Sequence, residues 1–370
     1  MKFLSRINLW SVFFGFTTFF LMWTSGSLKA VAPSVTPSVE LAPLSIEILP
    51  EDSYLVRGFH GRVRVLAQPD SDQLIVRMRQ SGLDAPAAGA PASSMRNPLM
   101  RRHMDEWHFS LSRQGSVVEL LITSPQSKDL WQQMLADESL WPRFDLEILA
   151  PSRPMDIVWR KGPIQVKGWQ APLNLHSQSG DVLVEDSQGA LVVTHQMGSV
   201  KVLRHQGQVQ MSTFNGVLSL ERVVGRIEVE NFSGETSVAQ SEGEVILAGF
   251  EARQSVVGGS GRIEFNNQRS PLRVEGFSGE LRGESVQGEV VASLRGEVNV
   301  RVLTKEAAVH LQLPGSGARV NIGSQAGNIQ SPSFLRVDQF PNLRVARGRL
   351  RGSDGGQVYV RTESGAIRLN

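Results

Sequence analysis

No cysteine occurs in this 370-residue chain. That absence excludes a disulfide framework, thiolate metal sites, a cysteine nucleophile and a thiol-linked lipid anchor. Aromatic residues are few, at 7%. An excess of either charge is also missing. The formal net charge is +2, but the first 30 residues supply Lys2, Arg6 and Lys29 and no acid, which leaves 35 basic against 36 acidic residues in the remainder. A nucleic-acid-binding domain ordinarily carries a basic excess, so no nucleic-acid partner is expected.

The signatures of common catalytic and metal sites are missing as well. His103 and His108 lie near Asp105 and Glu106 but form no HExxH, and no GxSxG elbow occurs. Calcium-binding rolls need GGxGxD turns. Here the repeat glycine is followed by Asp only at Asp181. His195 and His205 stand in different turn slots and are expected to be solvated. The acids Asp181, Glu185 and Asp186, and the group Glu275, Glu280, Glu284 and Glu289, are expected in solvated turns. The sequence therefore predicts no cofactor, no metal and no enzyme activity.

Residues 1–30 read as an export signal. Lys2 and Arg6 precede an apolar stretch from Leu9 to Trp23, and Leu28-Lys29-Ala30 precedes Val31. The stretch is short of the ~20 residues that span a bilayer. Cleavage is expected after Ala30, leaving no transmembrane domain in the mature chain. The alternative is an uncleaved N-terminal anchor. Either way residues 31–370 lie outside the cytoplasm, in the periplasm, on the outer surface or secreted. Residues 31–44, rich in Pro and Ser, read as a linker.

Glycine is abundant, at 35 residues, and its spacing is regular. Gly180, Gly189, Gly198, Gly207, Gly216, Gly225, Gly234 and Gly243 stand nine residues apart, and the lattice extends from Gly162 to Gly288. Of its 15 nodes 12 are Gly; Ala171, Ala252 and Ser270 hold the others. Two residues after each node the side chain is apolar except at Thr236 and Gln254, and four residues after it only Gly283 breaks an apolar column. Between the columns the chain is mostly polar. This is strand alternation with one face buried. A nine-residue strand-turn unit cannot bury its own apolar face, so the units must stack as a solenoid.

Two periodicities set the coil at about 18 residues, two units each. Phe214, Phe232 and Phe250 recur at that spacing, and so do Arg226, Glu244, Arg262 and Glu280 with alternating sign. The predicted fold is an all-β, single-chain β-solenoid, β-helix-like, with the Phe column stacked and buried. The lattice slips after Gly288, and the wider-spaced strands that follow read as its far end and cap. The solenoid domain is placed at 161–370. Residues 45–160 read as an N-terminal β region, interrupted by an Ala/Pro/Ser/Met-rich loop at 83–102 and a helical insertion at 127–141.

The runs Ser179-Gly180-Asp181-Val182-Leu183-Val184, Ser233-Gly234-Glu235-Thr236-Ser237-Val238 and Ser364-Gly365-Ala366-Ile367-Arg368-Leu369 resemble a bacterial family of putative adhesins, a domain of unknown function with Gly-rich β-solenoid repeats. Gly61-Arg62-Val63-Arg64-Val65 and Leu74-Ile75-Val76 resemble its lead-in. The resemblance covers roughly residues 45–370. It implies a non-catalytic envelope or surface protein that acts in adhesion or scaffolding, and it transfers no catalytic residue. Two other readings are an envelope-stress or regulatory module binding a membrane or wall component, and a glycan-active β-helix enzyme. Partners would be an envelope polymer, a glycan or a surface protein. One segment points to an anionic ligand: Arg344, Arg347, Arg349 and Arg351 occur together without an acid. From Val290 onward there are 11 basic and five acidic residues.

Overall fold

A computed structural model of the chain describes residues 38–81, 107–123, 132, 141–313, 317–350 and 356–370. The expected export signal at 1–30, the loop at 83–102 and all of the helical insertion but Gln132 and Trp141 lie outside the described residues, as does Arg351. Among the described residues Gln132 alone is helical; the other elements are β-strands, and all of these pair into one continuous sheet.

The first ten strands are β1 (Ser38–Glu40), β2 (Leu44–Glu47), β3 (Ser53–His60), β4 (Val63–Ala67), β5 (Gln73–Ser81), β6 (His108–Gln114), β7 (Val117–Thr123), β8 (Arg143–Ala150), β9 (Met155–Lys161) and β10 (Ile164–Lys167). They do not stack in chain order. β3 lies parallel between β7 and β9, and β4 lies parallel between β8 and β10. β6 then runs antiparallel along β7, and β5 antiparallel along β8. β1 and β2 pair with β5, so the stretch read as a linker is tied to the sheet from Ser38 onward. Aromatic residues fill this end. Trp159 fits over Gly58 and donates its indole N–H to the Gly61 carbonyl at 2.8 Å, and Tyr54 packs edge-on against buried Trp169.

From there the coils are regular: β11 (Leu173–Ser179), β12 (Val182–Gln188), β13 (Leu191–Gln206), β14 (Val209–Ala239), β15 (Glu242–Val257), β16 (Ser260–Asn267), β17 (Leu272–Ser285) and β18 (Val290–Thr304). Pairing is parallel, and residue n meets residue n+18: Val182 with Val200, Val229 with Leu247, Leu247 with Phe265. The coil of 18 residues is thus observed. The strands that follow Gly162, Gly180 and Gly198 build one wall, and those that follow Ala171, Gly189 and Gly207 build the second. The two apolar columns of each unit face inward and are buried. The exceptions fit the same interior: Thr236 and Gln254 are buried polar residues, and at Gly283 the space is taken by the Phe265 ring one coil earlier. The slip after Gly288 is a register shift, beyond which Leu281 meets Val300, one residue later than the repeat demands.

The two corners of each coil differ, which is why nine-residue units combine into 18-residue coils. At the corner closing the first wall, one residue per coil adopts a left-handed backbone: Asp186, Arg204, Arg222 and Gln240, all with φ between 51° and 56°. The residue after it turns inward, as Ser187, His205, Val223 and Ser241. At the opposite corner the inward slot lies one residue earlier and holds Ser177, His195, Thr213, Asn231, Asn267 and Ser285. Many of these polar side chains bond to the backbone of the turn they occupy, for example Asn231 to the Glu235 carbonyl and Ser285 to the Gly288 carbonyl. Both His195 and His205 are therefore buried, at 2% exposure each, against the expectation of solvated loops.

The far end is β19 (Val309–Gln312), β20 (Arg319–Ser324), β21 (Ile329–Gln330), β22 (Arg336–Phe340), β23 (Leu343–Arg349), β24 (Gln357–Thr362) and β25 (Ile367–Leu369). Again chain order and spatial order part. β24 inserts in parallel between β18 and β20, and β25 inserts between β19 and β21. The β22–β23 hairpin then closes the second wall, with β23 antiparallel to β20.

Candidate binding surface

Stacked parallel coils place residues of like position in straight rows on the outside. Each row crosses one strand per coil, at about 4.8 Å per step. The chemistry of the outer surface is therefore the chemistry of these rows.

Along the middle of the second wall one row alternates in sign. Arg226 bonds Glu244 at 2.9 Å, Glu244 lies 3.9 Å from Arg262, and Arg262 bonds Glu280 at 2.8 Å. Opposite charges facing each other across neighbouring strands are favourable. The row is a neutral, self-satisfied ladder.

Beyond Glu280 the pattern changes. The same row continues as Asn299, Gln357, Arg319 and Arg349. The next row runs Arg282, Arg301, Tyr359, Asn321, Arg347 and Arg336. Arg282 stands in register with Arg301, Arg319 with Arg349, and Arg347 with Arg336. Tyr359 sits between two guanidinium groups, Arg361 at 4.7 Å and Arg301 at 5.9 Å from its ring centre. Arg361 also donates to Asn321 Oδ1 at 2.9 Å. Among the described residues three acids border this area: Asp338 pairs with Arg336 at 2.8 Å, Glu264 stands in register with Arg282 at the near edge, and exposed Glu284 follows Arg282 by two residues on its strand.

Of the four arginines singled out in the sequence, the structure brings two to this face, Arg347 and Arg349, both exposed. Arg344 lies in register with buried Ser324 and donates to the Gly327 carbonyl at 3.2 Å. Its half-buried guanidinium works as a backbone clamp. The partners that complete the face, Arg282, Arg301, Arg319, Arg336 and Arg361, come from five different strands. Sequence proximity could not group them. The signal available was the net basic excess after Val290.

The Phe column stacks as the 18-residue coil requires. Phe214 and Phe232 have ring centres 5.0 Å apart at 9°, and Phe232 and Phe250 4.8 Å apart at 8°. It is not buried. Phe214 is 62% exposed and the other two are half-buried, because the inward slot at their corner belongs to the residue before them. Arg269 covers the last ring at 4.8 Å. The rings use their faces on one another, so only edges and the outer face of Phe214 remain available.

The acids do not assemble a site. Asp186 pairs with Arg204 at 2.5 Å, which holds its carboxyl below the usual range, and Asp181 accepts from Ser199 at 2.5 Å. Glu280 and Glu284 lie on the second wall, whereas Glu275 and Glu289 lie on the first. The repeat glycines Gly180 to Gly243 mark corners where successive backbones nearly touch, and they offer no ligand groups.

No protein family and no curated protein matches the chain. Two solved structures are similar. A putative cell adhesion protein from Clostridium sporogenes is 10% identical, with 89% of this chain and 98% of that one covered and a TM-score of 0.17. A putative adhesin from Parabacteroides merdae is 12% identical, with 74% and 96% covered and a TM-score of 0.34.

Proposed function

We infer that this chain is a non-catalytic, exported surface or envelope protein, adhesin-like in the sense that it holds a partner against a rigid outer wall. One observation supports the reading above the others: a row of the outer wall pairs its charges along the middle coils, whereas beyond it Arg282, Arg301, Arg319 and Arg347 make no ion pair among the described residues. A wall made only to be soluble has no need of that asymmetry, since like charges in register weaken a sheet. The continuous inner core keeps the rows straight. It makes the wall a preformed surface, for which little conformational entropy is lost on binding.

The test is location. Cells making the full-length chain are fractionated, and intact cells are labelled with a membrane-impermeant amine reagent. The reading predicts label on the chain and a mature N-terminus at Val31. Recovery of unlabelled chain with Met1 intact in the cytosol would contradict it.

A further inference from the structure

The arginine area has a shape as well as a charge. Its central row crosses six strands, from Arg282 on β17 to Arg336 on β22. Five steps of about 4.8 Å make it about 24 Å long, while its flanking rows lie only about 7 Å to either side. A flat bilayer would meet a broad face. This is a stripe parallel to the solenoid axis, and it fits a linear chain lying along it.

Its neutral groups narrow the ligand further. Asn299 Oδ1 accepts the Gln357 backbone N–H at 3.1 Å, and Asn321 Oδ1 accepts from Arg361 at 2.9 Å. Both amide oxygens are thus used, which leaves their NH2 groups as donors beside the arginines. Gln357 adds an exposed amide of its own. Guanidinium forks match carboxylates in a bidentate manner. Amide donors between them match neutral oxygens such as sugar hydroxyls. Among the described residues Arg282, Arg301, Arg319 and Arg347 make no ion pair, so their donors are not committed to acids of the fold.

We propose that this stripe is a binding site for a linear acidic polysaccharide, with carboxylates on Arg282, Arg301, Arg319 and Arg347 and sugar hydroxyls on Asn299, Asn321 and Gln357. The proposal rests on the surface-protein reading for its biological setting but not for its chemistry. It names the ligand class of the same wall.

The experiment uses the purified full-length chain and polygalacturonate as probe, with its methyl ester, phosphatidylglycerol vesicles and duplex DNA as comparators. The acidic polymer binds, and its affinity falls with salt at a log–log slope of about −3, as four charge contacts require. The methyl ester does not bind. The double variant Arg301→Ser/Arg347→Ser loses at least tenfold in affinity and about one to two units of slope. Its thermal midpoint stays level or rises, because like-charge register is relieved. Arg226→Ser/Arg262→Ser, in the paired ladder, binds the polymer like the wild type. The proposal is overturned if the first double variant binds unchanged or unfolds, if vesicles or DNA bind and polygalacturonate does not, or if nothing binds at low salt. Polymer binding by a chain found in the cytosol would instead sink the surface reading and leave the ligand class standing.

Discussion

Gly207 sets the limit on what a corner can hold. Its φ is 133°, and a Cβ there would fall 2.2 Å from the carbonyl oxygen of Gly189, one coil below. No L-residue avoids both the strain and the contact. Gly207→Ala should therefore lower stability by roughly 1–3 kcal/mol from backbone strain alone, read as a shift in the urea midpoint. At Ala252, a node where the side chain is already accommodated, the reverse change to Gly should be far milder. The Phe column gives a second prediction. Phe232 stacks on two rings but is half-buried, so Phe232→Ala should remove about 1–3 kcal/mol of ring pairing. Leu220→Ala, in the buried column, should cost about 2–5 kcal/mol. The buried histidines give a third. Burial, the largest cause, pushes His195 and His205 below their ordinary 6.5. His205 is held neutral between Ser187 Oγ at 2.8 Å and the Gly189 carbonyl at 3.1 Å. A depressed folded-state value means that the unfolded chain takes up the proton first. Stability should be constant above pH 6.5 and fall progressively as the pH drops below it, and His205→Gln should flatten that fall. A urea midpoint that rises on acidification would contradict the assignment.

Among the elements, β24 and β25 bear the most on the fold. They are last in the chain yet lie inside the stack, with Val358 between Val300 and Val320 and Ile367 between Val309 and Ile329. Removing residues 357–370 should leave β20 and β21 without parallel partners and open the interior at Leu311 and Val302. The expected result is loss of cooperative unfolding at the far end, seen as fast amide exchange from β19 to β23 with the middle coils still protected. Uniform protection would show that the insertion is dispensable. This arrangement also marks what the sequence reveals and what it withholds. Alternation at Val358/Val360 and Ile367/Leu369 identifies strands, and nine-residue spacing identifies coils. Neither names a neighbour, because every rung presents the same apolar pattern to the next. The same holds at the front, where β7 and β8 lie outside β3 and β4. The corners were illegible for a related reason. Phe214 and Ser187 both stand two residues before a node, and only the left-handed residue at Asp186 sends its slot inward while Phe214 points out.

At the scale of the molecule, the working surface is produced by stacking. Arg282 and Arg347 are 65 residues apart in sequence but belong to one row on one wall because the coil returns every 18 residues and the C-terminal strand inserts within it. One middle row neutralises itself, the arginine row at the end does so only at Arg336, and the proposed ligand follows from that difference. The shared row therefore depends on the coil length. The chain has no cysteine, so Gln210→Cys and Arg301→Cys give a clean pair for spin labelling on exposed positions of the second wall. An electron–electron dipolar distance between them is the direct measurement. Eighteen-residue coils put five strand spacings between the two sites, about 24 Å. A coil of nine residues would put about ten spacings there, roughly 48 Å, and a distance near that value would contradict the account.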